Sequence, residues 1–67
     1  MKITTEFIKL DSFLKAVNWV DSGGMAKTVI RDGIVYVNDT PETRRGRKLY
    51  PGDTVEMMGM RETVERE

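Results

Sequence analysis

The stretch Val29-Ile30-Arg31-Asp32-Gly33-Ile34-Val35-Tyr36-Val37-Asn38 decides the architecture, because the apolar period changes within it from helical to strand-like. Met25, Ala26, Val29 and Ile30 recur at helical spacing and form one apolar stripe, while Lys27, Thr28 and Arg31 point elsewhere. Gly33 falls where a helix ends on a left-handed residue. Ile34 to Val37 is β-branched and aromatic throughout, which suits a strand. Asn38-Asp39 then supplies two residue types that tolerate positive φ, as a two-residue hairpin turn requires.

Toward the N-terminus, Ser22 is placed to cap this helix, and Asp21-Ser22-Gly23-Gly24 separates it from an earlier one. Phe13, Leu14, Val17 and Val20 recur at helical spacing, so residues 12–20 are expected to form that first helix, with Trp19 packing at its edge. Asp11 or Ser12 is the expected side-chain cap of its first turn. Thr4 to Leu10 alternates loosely and reads as a short strand, with Phe7 and Ile8 as candidate inward residues.

Toward the C-terminus, the return strand of the hairpin is expected near Thr40 to Thr43. Pro41 cannot donate a ladder hydrogen bond, which makes this an edge or an interrupted strand. Tyr50-Pro51-Gly52-Asp53 has proline and glycine in the central positions of a type II turn. Thr54 to Met58 is expected to form a final strand with Val55 and Met57 on one face. The methionines, three of them at positions 57, 58 and 60, read as adaptable packing. The expected class is α+β, a helical hairpin packed on a small, mainly antiparallel sheet. Residues 1–58 form a single domain in this reading, and residues 59–67 a charged tail that frays.

A chain of 67 residues has room for one domain. It has no cysteine and no histidine, so disulfides, Cys/His zinc sites and nucleophilic dyads or triads built on those residues are excluded. The one Gly-Gly pair, Gly23-Gly24, lacks the Gly-Lys-Ser/Thr ending of a phosphate-binding loop, and no two carboxylates are convincingly arranged for catalysis. The chain is expected to be no enzyme and to carry no metal or cofactor. It has no apolar run of membrane-spanning length and no signal-peptide pattern at its N-terminus, so a cytoplasmic protein, monomeric and away from membranes, is expected.

The net charge is zero, but its distribution is uneven. Residues 1–43 sum to −1, residues 44–48 to +4 and residues 49–67 to −3. All of the excess positive charge lies in Arg44-Arg45-Gly46-Arg47-Lys48, and arginine's planar fork suits phosphate. A single-sign cluster costs self-repulsion that an interspersed surface avoids.

The order of these signals resembles a known family. Lys9-Leu10-Asp11, Leu14, Ser22, Ala26, the stretch Val29 to Asn38, and Pro51-Gly52-Asp53-Thr54-Val55 match, in sequence, the pattern of the RNA-binding domain of small-subunit ribosomal protein four, the alpha-L domain. The chain looks like a short stand-alone bacterial member of YaaA type, a subgroup that the Arg44-to-Leu49 run also resembles. Two positions depart from the pattern: Gly23 stands where the family commonly has arginine, and Asn38-Asp39 replaces the usual Asn-Gly turn.

The resemblance implies a non-catalytic domain that binds structured RNA, ribosomal or ribosome-associated. The expected contacts are Arg44, Arg45, Arg47 and Lys48, extended by Lys9 and by Lys27 and Arg31, which lie four apart on the second helix. Tyr50, beside the basic run, is the candidate for base stacking, whereas Tyr36 and Trp19 read at least as well as packing. DNA is the weaker partner, since no cation-rich recognition helix is present. The competing class is a protein-interaction module whose basic loop docks on an acidic partner.

Overall fold

The computed structural model describes residues 1–67. Strand β1 (Lys2–Ile3) and strand β2 (Ile8–Lys9) precede helix α1 (Leu10–Ala16) and helix α2 (Gly23–Arg31). The rest of the chain is strand: β3 (Val35–Val37), β4 (Thr40–Pro41), β5 (Lys48–Leu49), β6 (Thr54–Met57), β7 (Met60–Thr63) and β8 (Glu65–Arg66). A four-stranded antiparallel sheet in the order β4-β3-β6-β7 forms the body. Two short ladders flank it, β2 antiparallel to β5 and β1 parallel to β8. This is the expected α+β class, a helical hairpin on a mainly antiparallel sheet.

The core lies between the helical hairpin and one sheet face. Leu10, Phe13 and Leu14 of α1 and Ala26, Val29 and Ile30 of α2 are buried with Val35, Val37, Val55 and Met57 of the sheet. Period-2 alternation leaves Tyr36 and Glu56 on the opposite face, with Tyr36 40% exposed. Met25, assigned from the sequence to the buried stripe, is exposed in the first turn of α2. Of the C-terminal methionines only Met57 packs in the core. Met58 occupies a turn, and Met60 is exposed at the start of β7.

Both helices end in the same way. After α2, the Gly33 amide donates to the Ile30 carbonyl and the Ile34 amide to that of Val29, with Gly33 at φ 75°. After α1, the Asn18 amide donates to Lys15 and the Trp19 amide to Leu14, with Asn18 at φ 61°. These are the paired bonds of a Schellman cap. Asparagine tolerates this conformation, so α1 stops at Ala16 and does not run on to residue 20 as its apolar spacing suggested. Val20 is still buried, but from the link between the helices. Trp19 meets Phe13 edge-on, with ring centroids 5.9 Å apart.

The expected caps differ in outcome. The Ser22 hydroxyl accepts from the Met25 amide at 3.2 Å, as a serine N-cap does. The N-cap of α1 is Lys9 and has no side-chain cap; the Asp11 carboxylate accepts only from its neighbour, the Ser12 amide. The strand read over Thr4 to Leu10 is confined to Ile8–Lys9, and Leu10 already belongs to α1.

The two turns read from the sequence form. Asn38 and Asp39 take φ 51° and 68° between the paired residues Val37 and Thr40. Across Pro51-Gly52 the Asp53 amide donates to the Tyr50 carbonyl at 2.9 Å, with Gly52 at φ 100°. The Asn38 side chain also bridges the two turns, donating to the Asp53 carboxylate and accepting from the Thr54 amide, each at 3.0 Å.

Residues 59–67, expected to fray, are instead largely strand. Met58 and Gly59 form a second two-residue turn with φ 49° and 81°, returning the chain as β7 beside β6. Val64 is fully buried, and its amide and carbonyl bond the Asp53 carbonyl and the Gly52 amide at 2.8 Å. One apolar side chain and this backbone anchor hold a segment whose composition is otherwise that of a tail.

Candidate nucleic-acid interface

The basic run follows β4 and ends on Lys48, the first residue of β5, and both of its ends are fixed. At one end is Glu42, the only polar or charged residue buried in the domain, at 6% exposure. Its carboxylate accepts from the Arg44 amide (3.0 Å), from Nε and Nη2 of Arg44 (2.9 and 3.0 Å) and from Nη1 of Arg47 (2.9 Å). A buried carboxylate without such partners would protonate. Here the hydrogen bonds from Arg44 outweigh the desolvation that opposes them and, together with Arg47, hold the Glu42 carboxyl at about 2, below its ordinary 4.5. Reciprocally, Glu42 raises the pKa of the Arg44 guanidinium.

At the other end, the loop backbone caps α1. The Leu10 amide donates to the Arg47 carbonyl at 2.9 Å and the Asp11 amide to the Arg45 carbonyl at 3.1 Å. These bonds satisfy first-turn amides that a side-chain cap was expected to serve. The Arg47 amide closes a turn onto the Arg44 carbonyl at 3.2 Å. Arg44, Gly46, Arg47 and Lys48 line an open concavity of about 550 Å³.

The four cations of the run therefore separate into two kinds. Arg44 and Arg47 are bound to Glu42, although the Arg44 side chain remains 75% exposed. Arg45 and Lys48 form no ion pair. Lys48 instead sits with its Nζ 4.8 Å from the centroid of the Phe7 ring. The Phe7 ring is in turn 6.0 Å from that of Tyr50.

Of the residues expected to extend the surface, Lys9 joins the loop directly, since the β2–β5 ladder pairs it with Lys48. Lys27 and Arg31 are exposed on α2, a helix held mainly by α1 rather than by the ladder that carries the loop. Arg31 lies 3.6 Å from Asp32, its neighbour in sequence. Asp39, which departs from the usual Asn-Gly turn, pairs with Arg61 at 2.9 Å. Sequence reading missed Glu42 and Phe7. A lone acidic residue two positions before an arginine pair was the available signal for the first; Phe7 reads from the sequence only as an inward residue beside Ile8, whereas it lies half-buried under the Lys48 ammonium.

A family model described as "S4 domain" matches residues 1–65, and the chain belongs to the S4 domain family. Among curated proteins it is 52% identical over 59 residues to the Bacillus subtilis (strain 168) protein named "Probable ribosome maturation protein RlbA", covering 88% of this chain and 83% of that one. It is 38% identical over 52 residues to YbcJ of Escherichia coli (strain K12), covering 78% and 74% respectively. The solution structure of E. coli YbcJ, described as revealing an alfaL motif involved in RNA-binding, superimposes with a TM-score of 0.73 at 32% identity, covering 97% of this chain and 84% of that one. The alpha-L resemblance read from the sequence is thus borne out.

Proposed function

We propose that this domain binds structured RNA, ribosomal or ribosome-bound, as a non-catalytic module. The observation that carries the reading is the built loop. Glu42 from below and the first-turn amides of α1 from the side fix the backbone of Arg44 to Lys48, leaving Arg45 and Lys48 without acidic partners. A loop whose charge served only solubility would need no such support. Membership of the S4 domain family and the RNA-binding description of YbcJ support the same conclusion, and the name of RlbA supports the ribosomal target. Arg44, Arg45, Arg47, Lys48 and Lys9 form the main contact, Lys27 and Arg31 a second one on α2, and phosphates supply most of the affinity. With about four phosphates neutralised, log K falls against log salt with a slope of roughly −3 to −4.

The test is RNA binding at several salt concentrations by the parent protein and by an Arg45→Ala/Lys48→Ala variant, using ribosomal RNA fragments. This pair leaves Glu42 with both of its arginines, so the fold is kept while two free cations are lost. The expected result is weaker binding and a slope flattened by about 1.4 to 1.8. Equal affinity for parent and variant would remove the loop from the interface. Cellular partners that survive ribonuclease digestion would point instead to an acidic protein partner.

A further inference from the structure

The β2–β5 ladder presents more than a basic surface. Its register pairs Ile8 with Leu49 and Lys9 with Lys48, and the next pair outward is Phe7 with Tyr50. Side chains alternate between faces of a ladder. Leu49 is fully buried and Ile8 packs against the core, so Phe7, Lys9, Lys48 and Tyr50 share the other face. Two cations stand side by side there, and two aromatic rings stand side by side next to them. The arrangement is unfavourable in isolation, because like charges directly opposite on a ladder repel. No carboxylate pairs with either lysine.

We infer that this face is a subsite for a single unpaired nucleotide, its phosphate held between Lys9 and Lys48 and its base stacked on Tyr50. The inference rests on the RNA-binding reading and adds the class of RNA recognised, one that offers an unstacked base next to a paired stem. Tyr50 is 43% exposed, whereas Phe7 is half-buried. Phe7 is a positioning residue: its face holds the Lys48 ammonium at 4.8 Å, and its ring braces Tyr50 at a 50° tilt. Phosphate and base are adjacent in a nucleotide, as the lysine pair and the aromatic pair are on the ladder. Stacking on an aromatic ring accepts any base, so the subsite selects for an unpaired nucleotide and not for a sequence.

The experiment compares two RNA hairpins that carry the same number of phosphates. One has a single bulged nucleotide and the other has an abasic residue at that position. The parent protein is expected to bind the bulged hairpin about tenfold more tightly, as a stacked base commonly provides. Tyr50→Leu is expected to bind both hairpins equally with the salt slope unchanged, and Tyr50→Phe to retain the preference. Lys9→Gln/Lys48→Gln is expected to weaken both hairpins and to flatten the slope by about 1.4 to 1.8. If the parent binds both hairpins equally, or Tyr50→Leu weakens both by the same factor, the subsite is overturned while RNA binding stands. If the parent binds neither hairpin nor ribosomal RNA, the RNA-binding reading fails and the subsite with it.

Discussion

Two cross-strand pairs in this domain face solvent with opposite electrostatic logic. On the β6–β7 hairpin Glu56 lies opposite Arg61, and Arg61 also meets Asp39 at 2.9 Å, so every charge in that row has a partner of the other sign. On the β2–β5 ladder Lys9 lies opposite Lys48 and neither has one. The first arrangement is what a surface selected for stability looks like, since opposite charges across strands attract. The second costs stability in the free protein, a cost that the proposed phosphate between the two lysines would offset. The acid nearest in the chain to the basic run, Glu42, is turned beneath the loop, where it pairs with Arg44 and Arg47 and with neither Lys9 nor Lys48. The contrast teaches that the positive face is maintained against a local electrostatic cost, by the same rules that balance the charges elsewhere on the domain.

The strongest way to break the contrast is to detach the ladder from the core. Leu49 is fully buried, and Leu49→Ala is expected to cost about 2–5 kcal/mol in urea unfolding, enough to threaten a domain this small.

The next largest effect follows from Glu42. Its carboxyl sits at about 2 in the folded domain against an ordinary 4.5, so the folded state binds this proton less tightly than the unfolded chain does. The corresponding stability is fully present above pH 4.5 and is lost as the pH falls toward about 2. Acid titration of the unfolding midpoint is expected to show this loss, and Glu42→Gln to lack that part of it. A Glu42→Gln protein with the parent's full acid dependence would show that other carboxyls carry it.

Lys9→Glu sharpens the comparison by giving the β2–β5 ladder the logic of β6–β7. Opposite charges would then face each other, and the unfolding free energy at low salt is expected to rise by a few tenths to about 1 kcal/mol. RNA binding is expected to weaken in the same variant. A variant less stable than the parent would show that the lysine pair imposes no repulsion. The smallest effect is that of Arg61→Ala, which breaks two exposed ion pairs. A loss of no more than about 1 kcal/mol is expected, shrinking as salt is added, with RNA affinity unchanged.

Most of the helical hairpin and the central strands was legible in local chemistry. Ser22 and Gly33 mark the ends of α2, Asn38-Asp39 and Pro51-Gly52 mark turns, and Val35, Val37, Val55 and Met57 show the inward face. Each of these signals acts within a few residues and is decided by sterics or by a single hydrogen bond. The end of α1 was obscured because Val17 and Val20 continue its apolar spacing while Asn18, equally at home in a helix or a cap, ends it. The β7 strand was hidden because Met58 is an unusual residue for positive φ, and because the strand's exposed face is polar.

By itself the sequence determined that there would be a helical hairpin, a hairpin after Val37, and one dense basic run at residues 44–48. The tertiary structure alone decided what that run is attached to. Only the fold brings the Arg45 and Arg47 carbonyls to the amides of Asp11 and Leu10, seats Glu42 under two arginines, and sets Lys9 and Phe7 beside Lys48 and Tyr50. Local conformation follows from neighbours in the chain, whereas a ladder register between segments about forty residues apart depends on which of its faces the core buries. In this domain the full burial of Leu49 settles that face and so places the aromatic and lysine pairs outward.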